Sequence, residues 1–263
     1  MILTLPVGHL INSYNYHLVP GVKALEYKNT IPVLDNKLES IFHSDYGIVQ
    51  EEFLSYFESI VDYLNKNKIK MFSFDIGPAA EKVEIEDYYY IAKSEILSKS
   101  GLFELIQCRI EQVRSKYSGN IAFENLNYFT TSAYLHVCEP SFIAETARRN
   151  NVYILLDIAH AIITAKNLEI DIYQYLSALP LDKVVEVHIS SPRLIQGKWR
   201  DIHEMPGSEE FQVLEFILKN CHLNPYVVIE YYKNFSKIKD CYKSLMKYFD
   251  KQDDKEKSDC CWV

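Results

Sequence analysis

The sequence predicts an α/β fold, a single (β/α)8 TIM-type barrel. Three observations carry that expectation. Short apolar runs recur along the 263 residues, and such runs read as strands buried on both faces of a parallel sheet. Helix-periodic segments alternate with them, as in βα units. Successive segments also end in a carboxylate or an imidazole: IAFEN (Glu124), YILLDIAHA (Asp157, His160), VVEVHIS (His188), RDIH (Asp201, His203) and YVVIEY (Glu230). An α/β barrel gathers the carboxyl ends of its strands around one active-site mouth.

In chain order, VKALEY (22–27) is expected as the first strand and ESIFHS (39–44) as a short second one. EEFLSYFESIVDYLNKNK spaces Phe53, Leu54, Phe57, Ile60, Val61 and Leu64 as one apolar helical face. IKMFSFDIGP is a strand ended by Gly77-Pro78, and residues 86–118 are expected to be helical with a break near Ser100-Gly101. NIAFEN is the next strand. Pro140 opens a helix to Asn150, since proline at a first turn forfeits no internal bond. VYILLD is a strand, LEIDIYQYLSAL a helix stopped by Pro180, and KVVEVHIS a strand. SEEFQVLEFILKN is a helix with Ser208 as its N-cap and two Glu in its first turn. YVVIEY is the last strand and residues 236–249 close the barrel. Seven or eight strands are countable, with no clear internal repeat. The domain is expected over residues 1–249, followed by a charged, disordered tail over 250–263.

Composition narrows the function. A hydrophobic fraction of 48% is ample for a core. A net charge of −8 disfavours nucleic acid, whose binding relies on Lys and Arg releasing counterions. The N-terminus lacks a signal-peptide pattern, and no apolar stretch approaches a membrane span. Six cysteines without a CxxC pattern fit reduced thiols and a cytoplasmic location. The ending Cys260-Cys261-Trp262-Val263 only outlines a prenylation box, because Trp262 is not aliphatic and the preceding residues are not polybasic.

The chemistry lies in the strand ends. Glu186 and His188 are two apart in a strand and share a face, with Val185 and Val187 turned to the outer helices. On its own His188 reads equally as a structural histidine satisfied by a carboxylate. Asp201-x-His203 aims two groups the same way and alone reads as a solvated loop. Asp157, Glu124 and Glu230 each end an apolar run, where a charge is tolerated when paired or bound to metal. Together these stops point to a metal site. Histidine and carboxylate donors without Cys suit zinc, manganese or iron, and carboxylates able to bridge suggest more than one ion.

The order of these stops resembles the xylose-isomerase-like TIM barrel superfamily, to which endonuclease IV belongs. Within it, the order is most similar to the multinuclear non-haem iron-dependent oxidative enzyme (MNIO) family, which includes the methanobactin-cassette oxidase. The residues carrying the likeness are His43 in SIFHS, Asp75 in FSFD, Glu124-Asn125 in FEN, Asp157 with His160, His188, Asp201 with His203, and Glu230, over roughly residues 20–232. Two positions depart from the family pattern: Asp75 stands where a histidine is usual, and His160 where an asparagine is usual. A histidine at the latter place is more like endonuclease IV. The acidic balance, and the lack of His in 86–120, argue against a DNA-repair role.

The resemblance implies one metal held by Asp157, His188, Glu230 and Glu124, a second by His160, Asp201 and His203, and a third by His43, Asp75 and Glu124. It implies two or three irons that use dioxygen to oxidise a side chain, chiefly Cys, of a ribosomally made precursor peptide. A small partner protein would capture the leader peptide. Asn125 and Arg193 are candidate substrate contacts, Arg193 through its planar fork. The alternative is a zinc- or manganese-dependent sugar isomerase or epimerase in which Glu124 or Glu230 shuttles a proton. Metal-dependent phosphodiester hydrolysis and a metal-free binding scaffold rank lower.

Overall fold

The computed structural model describes residues 1–259. In chain order its strands are β1 (Ile2–Pro6), β2 (Ala24–Tyr27), β3 (Glu39–Ser44), β4 (Met71–Asp75), β5 (Val83–Glu86), β6 (Tyr89–Ala92), β7 (Asn120–Glu124), β8 (Tyr153–Asp157), β9 (Val184–Ile189), β10 (Ser191–Ile195), β11 (Lys198–Glu204) and β12 (Tyr226–Ile229). The helices are α1 (Phe53–Lys66), α2 (Lys99–Lys116), α3 (Pro140–Asn150), α4 (Ile158–Asn167), α5 (Ile172–Ser177), α6 (Ser208–Asn220) and α7 (Phe235–Asp259). Eight strands close a barrel in the order β1-β12-β9-β8-β7-β4-β3-β2, every pairing parallel. The expected (β/α)8 class is therefore the observed one. β5–β6 and β10–β11 are antiparallel hairpins outside the barrel.

Alternation along each strand divides the side chains between two environments. Phe72 and Phe74 of β4 point outward and meet Phe53, and Phe72 also meets Phe57, both phenylalanines being on α1. Ser73 and Asp75 of the same strand point inward. Ile41, Met71 and Ala122 form a small interior cluster, joined by Tyr153, Val185 and Tyr226. Above it the interior turns polar: Glu26, Ser73, His43, Glu186 and His188 are all buried. Register sets Asp75 beside Glu124, and Asp157 and Val228 beside His188.

Several elements differ from expectation. Ile2–Pro6 is a strand that closes the barrel between β2 and β12. Its run is short and ends in proline, so periodicity alone does not mark it. Residues 83–92 form a hairpin, not a helix, and α2 begins only at Lys99. V-E-I-E and Y-Y-I-A are β-branched and aromatic, and suit a pleated ladder. Residues Ile158–Asn167 are helical although unassigned from sequence. Their residues are buried almost all round, which blurs the helical period. α5 covers only Ile172–Ser177 of the longer helix expected there. Asp201 and His203 lie on β11, not in a loop. Gly207, not Ser208, holds the N-cap position of α6, and its N–H donates to Glu210 Oε2 at 2.8 Å. Val185 packs with the interior cluster because a register shift between β8 and β9 falls at this end of the strand.

α7 runs on into the tail expected from residue 250, and Cys260 to Val263 lie outside the described residues. Cys108, Cys138, Cys221 and Cys241 are free thiols. No helix among the described residues is long and apolar enough to cross a membrane.

Candidate metal centre

The barrel brings the predicted strand-end residues to one mouth. β3 delivers His43, β4 Asp75, β7 Glu124, β8 Asp157 and β9 His188. Glu230 follows β12 directly, and His160 lies in the first turn of α4. Asp157 caps that helix, its Oδ1 accepting from His160 N at 2.6 Å, so one side chain ends a strand and starts a helix. The β10–β11 hairpin brings Asp201 and His203 back over the same mouth. His203 sits at φ 48°, in the left-handed region, which is costly for a side-chain-bearing residue.

Four groups have donor atoms within 4.8 Å of one another: His43, Asp75 and Glu124; Glu124, Asp157 and His160; Asp157, His188 and Glu230; and, deeper in the barrel, Glu26, Glu186 and His188. Glu124, Asp157 and His188 are each shared by two groups. Glu124 Oε2 lies 3.1 Å from His43 Nε2, and its Oε1 lies 3.4 Å from His160 Nδ1. Glu230 Oε2 is 3.4 Å from both His188 Nδ1 and His203 Nε2. Asp201 Oδ2 joins His160 Nε2 at 3.3 Å to His203 Nε2 at 3.5 Å.

Second partners aim the rings. His188 Nε2 donates to Glu26 Oε1 at 2.7 Å, with Glu186 Oε1 at 3.4 Å. His160 Nδ1 donates to Asn125 O at 2.8 Å. His43 Nδ1 meets Ser73 Oγ at 3.1 Å, and that hydroxyl reaches Glu186 Oε2 at 3.3 Å. Lys28 Nζ and the Tyr232 hydroxyl both donate to Glu230 Oε1, at 2.8 and 2.9 Å.

The charge balance calls for protons or cations. Seven carboxylates (Glu26, Asp75, Glu124, Asp157, Glu186, Asp201, Glu230) face Lys28 and the imidazoles of His43, His160, His188 and His203. With all seven ionised, the anions would outnumber the cations even with every imidazole charged, so either protons or bound cations must offset them. Burial would raise Glu124, but His43, His160 and His188 outweigh it and bring it down to about 2. Burial, reinforced by Glu124, pushes Asp75 up to about 8. Burial likewise lifts Asp157 to about 7 against the pull of His160. Burial opposes charging His203, yet Glu230 and Asp201 raise it to about 9.

A divalent ion fits these residues. His188 Nδ1 and Asp157 Oδ2 are buried and have no hydrogen-bond partner, and both residues belong to one group with Glu230. Leaving such atoms unpaired is expensive. Imidazole and carboxylate donors without thiolate suit iron, manganese or zinc.

Of the predicted residues, His43, Asp75, Glu124, Asp157, His160, His188, Asp201, His203 and Glu230 come together here. Arg193 does not: it is exposed on β10, where it pairs with Arg200 in the hairpin register. Asn125 is buried and turned to the backbone, accepting from Asp157 N at 2.8 Å and donating to Asp157 O at 3.2 Å. It ties β7 to β8 instead of facing a substrate. Glu26, Lys28 and Tyr232 went unnoticed in the sequence. Glu26 alternates with Leu25 and Tyr27 like an outward residue of a half-exposed strand, and only barrel closure turns it inward.

A sequence model described as "RiPP precursor modification enzyme MbnB/TglH/ChrH" matches residues 96–250. The chain belongs to this family. The match agrees with the MNIO likeness carried by the strand-end residues, and the family is described as one of RiPP precursor modification enzymes. A UPF0276 protein of Caulobacter vibrioides is 33% identical over 86 residues, 33% of this chain and 31% of that protein. UPF0276 protein VP3015 of Vibrio parahaemolyticus is 32% identical over 103 residues, 38% of this chain and 36% of that protein. The matched stretches thus span about a third of these curated relatives. Among solved structures, 3-keto-D-glucoside 4-epimerase YcjR from E. coli superposes with a TM-score of 0.63 at 18% identity, covering 94% of this chain and 98% of that one. A D-tagatose 3-epimerase-like protein gives 0.64 at 15% identity, covering 97% and 99%. At such identities the likeness is one of fold alone, a closed (β/α)8 barrel.

Proposed function

We propose that this family member is a multinuclear iron enzyme that uses dioxygen to oxidise a side chain, most readily a Cys, of a ribosomally made precursor peptide. The observation that carries the reading is the triad Asp157, His188 and Glu230, with His188 Nδ1 and Asp157 Oδ2 buried and making no hydrogen bond. It adjoins two further groups through the shared Asp157 and Glu124. Asp157, His188 and Glu230 would hold one ion. His43, Asp75 and Glu124 would hold another, and His160 with Asp201 and His203 a third. Iron there would supply activation of dioxygen, the acceptor of the electrons removed from the peptide.

The chain's own residues set the donors. Glu26 accepts a hydrogen bond from His188 Nε2, which leaves the Nδ1 lone pair toward Asp157 and Glu230. The Asn125 carbonyl accepts a hydrogen bond from His160 Nδ1, which leaves Nε2 toward Asp201. Lys28 and Tyr232 hold Glu230 Oε1, so that Oε2 faces His188 and His203. A small leader-binding partner protein belongs to the same reading.

The test is metal analysis of anaerobically purified protein, followed by oxygen uptake on adding a Cys-bearing precursor peptide encoded beside the gene. About two or three irons per chain and peptide-dependent uptake are expected. Zinc or manganese with turnover of a free sugar would replace this reading with that of an epimerase.

A further inference from the structure

Beside the ligand cluster the mouth carries an aromatic pocket. Tyr88, Tyr89 and Tyr90 follow one another at the tip of β5–β6, and with Tyr134 they line a hollow of about 150 Å³ that also includes Asp75 and His160. A cavity of about 150 Å³ with apolar walls takes up one benzene ring. The hairpin that supplies three of these rings precedes the residues that match the family, 96–250.

The walls are fastened from two sides. Tyr90 N donates to the Tyr134 hydroxyl at 2.9 Å, and Thr131 Oγ1 donates to Tyr90 O at 2.8 Å. At the hairpin tip, Asp87 accepts from Lys198 Nζ at 3.0 Å and pairs with Arg200. Lys198 lies 4.9 Å over the Tyr89 ring, and Arg200 lies 4.9 Å over the Tyr88 ring. Lys198 and Arg200 belong to β11, the strand that carries Asp201 and His203. The two-residue turn has φ 49° at Asp87 and 72° at Tyr88, a geometry usually given to Asn-Gly. A tyrosine held there is strained, and strain that the surroundings maintain is characteristic of ligand-binding sites. Tyr89 also walls a second hollow of about 250 Å³ toward Phe129, so an extended substrate has room to continue past it.

We propose that this pocket seats an aromatic side chain of the peptide substrate next to the metal centre, gripped by Tyr88, Tyr89, Tyr90 and Tyr134. The inference rests on the peptide-modifying reading above and narrows it to a peptide with an aromatic residue at or beside the oxidised position. Ring size, aromatic walls and contact with Asp75 and His160 together select a ring over a small thiol-bearing side chain.

The test titrates 4-fluorophenol into the full chain as purified anaerobically, followed by fluorine NMR. Saturable binding is expected, weakened about fivefold or more in Tyr88→Ala and kept within about twofold in Tyr88→Phe. Tyr88 is exposed at a hairpin tip, so Y88A keeps the fold, with an unchanged melting temperature as the control. Two readouts on the unaltered protein stand apart from any variant. Cyclohexanol should compete poorly with the phenol, and iron(II) or cobalt(II) loading should broaden the bound fluorine signal relative to zinc loading. No saturation, equal affinity in Y88A, equal competition by cyclohexanol, or a signal indifferent to the paramagnetic ion would each overturn the assignment. Binding of the probe needs no dioxygen and no turnover. A failure of peptide-dependent oxygen uptake is therefore read separately.

Discussion

His188 uses its two ring nitrogens differently. Nε2 donates a hydrogen bond to Glu26 at 2.7 Å, and Nδ1 is left toward Asp157 and Glu230. Such carboxylate–histidine pairs fix the ring and raise its basicity as a ligand. Glu26→Gln keeps the shape but loses the charge, and should weaken metal affinity about 10–100-fold. Competition with a chelator would measure this, and iron affinity equal to the wild type would remove Glu26 from the support of His188. Lys28 does similar work for Glu230. Lys28→Met removes a charged donor from a buried carboxylate and should cost about 1.5–3 kcal/mol, read from chemical denaturation. The two lessons differ in legibility. Asp157 and Glu230 stand out in the sequence because a charge at the end of an apolar run is anomalous. Glu26 and Lys28 sit in VKALEYK, an ordinary alternation, and nothing local says which face is buried. Arg193 has the chemistry of a substrate contact, but the hairpin register carries it outward.

At the scale of elements, what reached the site from sequence was what had a clear period. ESIFHS, the strand before Glu124 and the helix opened by Pro140 lie where expected, because length, alternation and a proline at the first turn agree. β1 and α4 were lost for opposite reasons: too few residues in one, apolar residues all round in the other. The hairpins were lost because each strand is four to seven residues long and is fixed by contacts with the barrel mouth. Loop crossings are equally silent in sequence. Gly47 follows β3 and passes so close to the loop after β4 that a Cβ there would stand 1.7 Å from Gly77 O and 3.3 Å from Asp75 Cβ. Gly47→Ala therefore forces backbone apart beside a candidate ligand. The expected loss is about 1–3 kcal/mol or more, seen as a lower denaturation midpoint at unchanged slope. An unaltered midpoint would mean that the two loops separate freely.

For the whole molecule, buried carboxylates from strands far apart in the sequence converge at one barrel mouth. Carboxylates at one buried mouth repel each other and lose hydration, and only partners or cations offset that. The hydrophobic layer between strands and helices is thus asked to hold a polar interior in place. A ligand that binds the folded chain and not the unfolded one stabilises it by RT ln(1 + [L]/Kd), about 2.7 kcal/mol at a hundredfold excess over Kd. Anaerobic addition of iron(II) to chelator-stripped protein should therefore raise the melting temperature, the more so the higher the free ion concentration. Renewed chelation should reverse the rise. Glu26→Gln should show the same direction with a curve displaced to higher iron, since it alters the grip on the ion and not the barrel. Calcium, which favours oxygen ligands in larger shells, should do less than iron, manganese or zinc, because an imidazole belongs to each of the four groups. A melting temperature indifferent to all of these ions would separate the barrel's acidic mouth from metal binding and leave its carboxylates to be explained by protons alone.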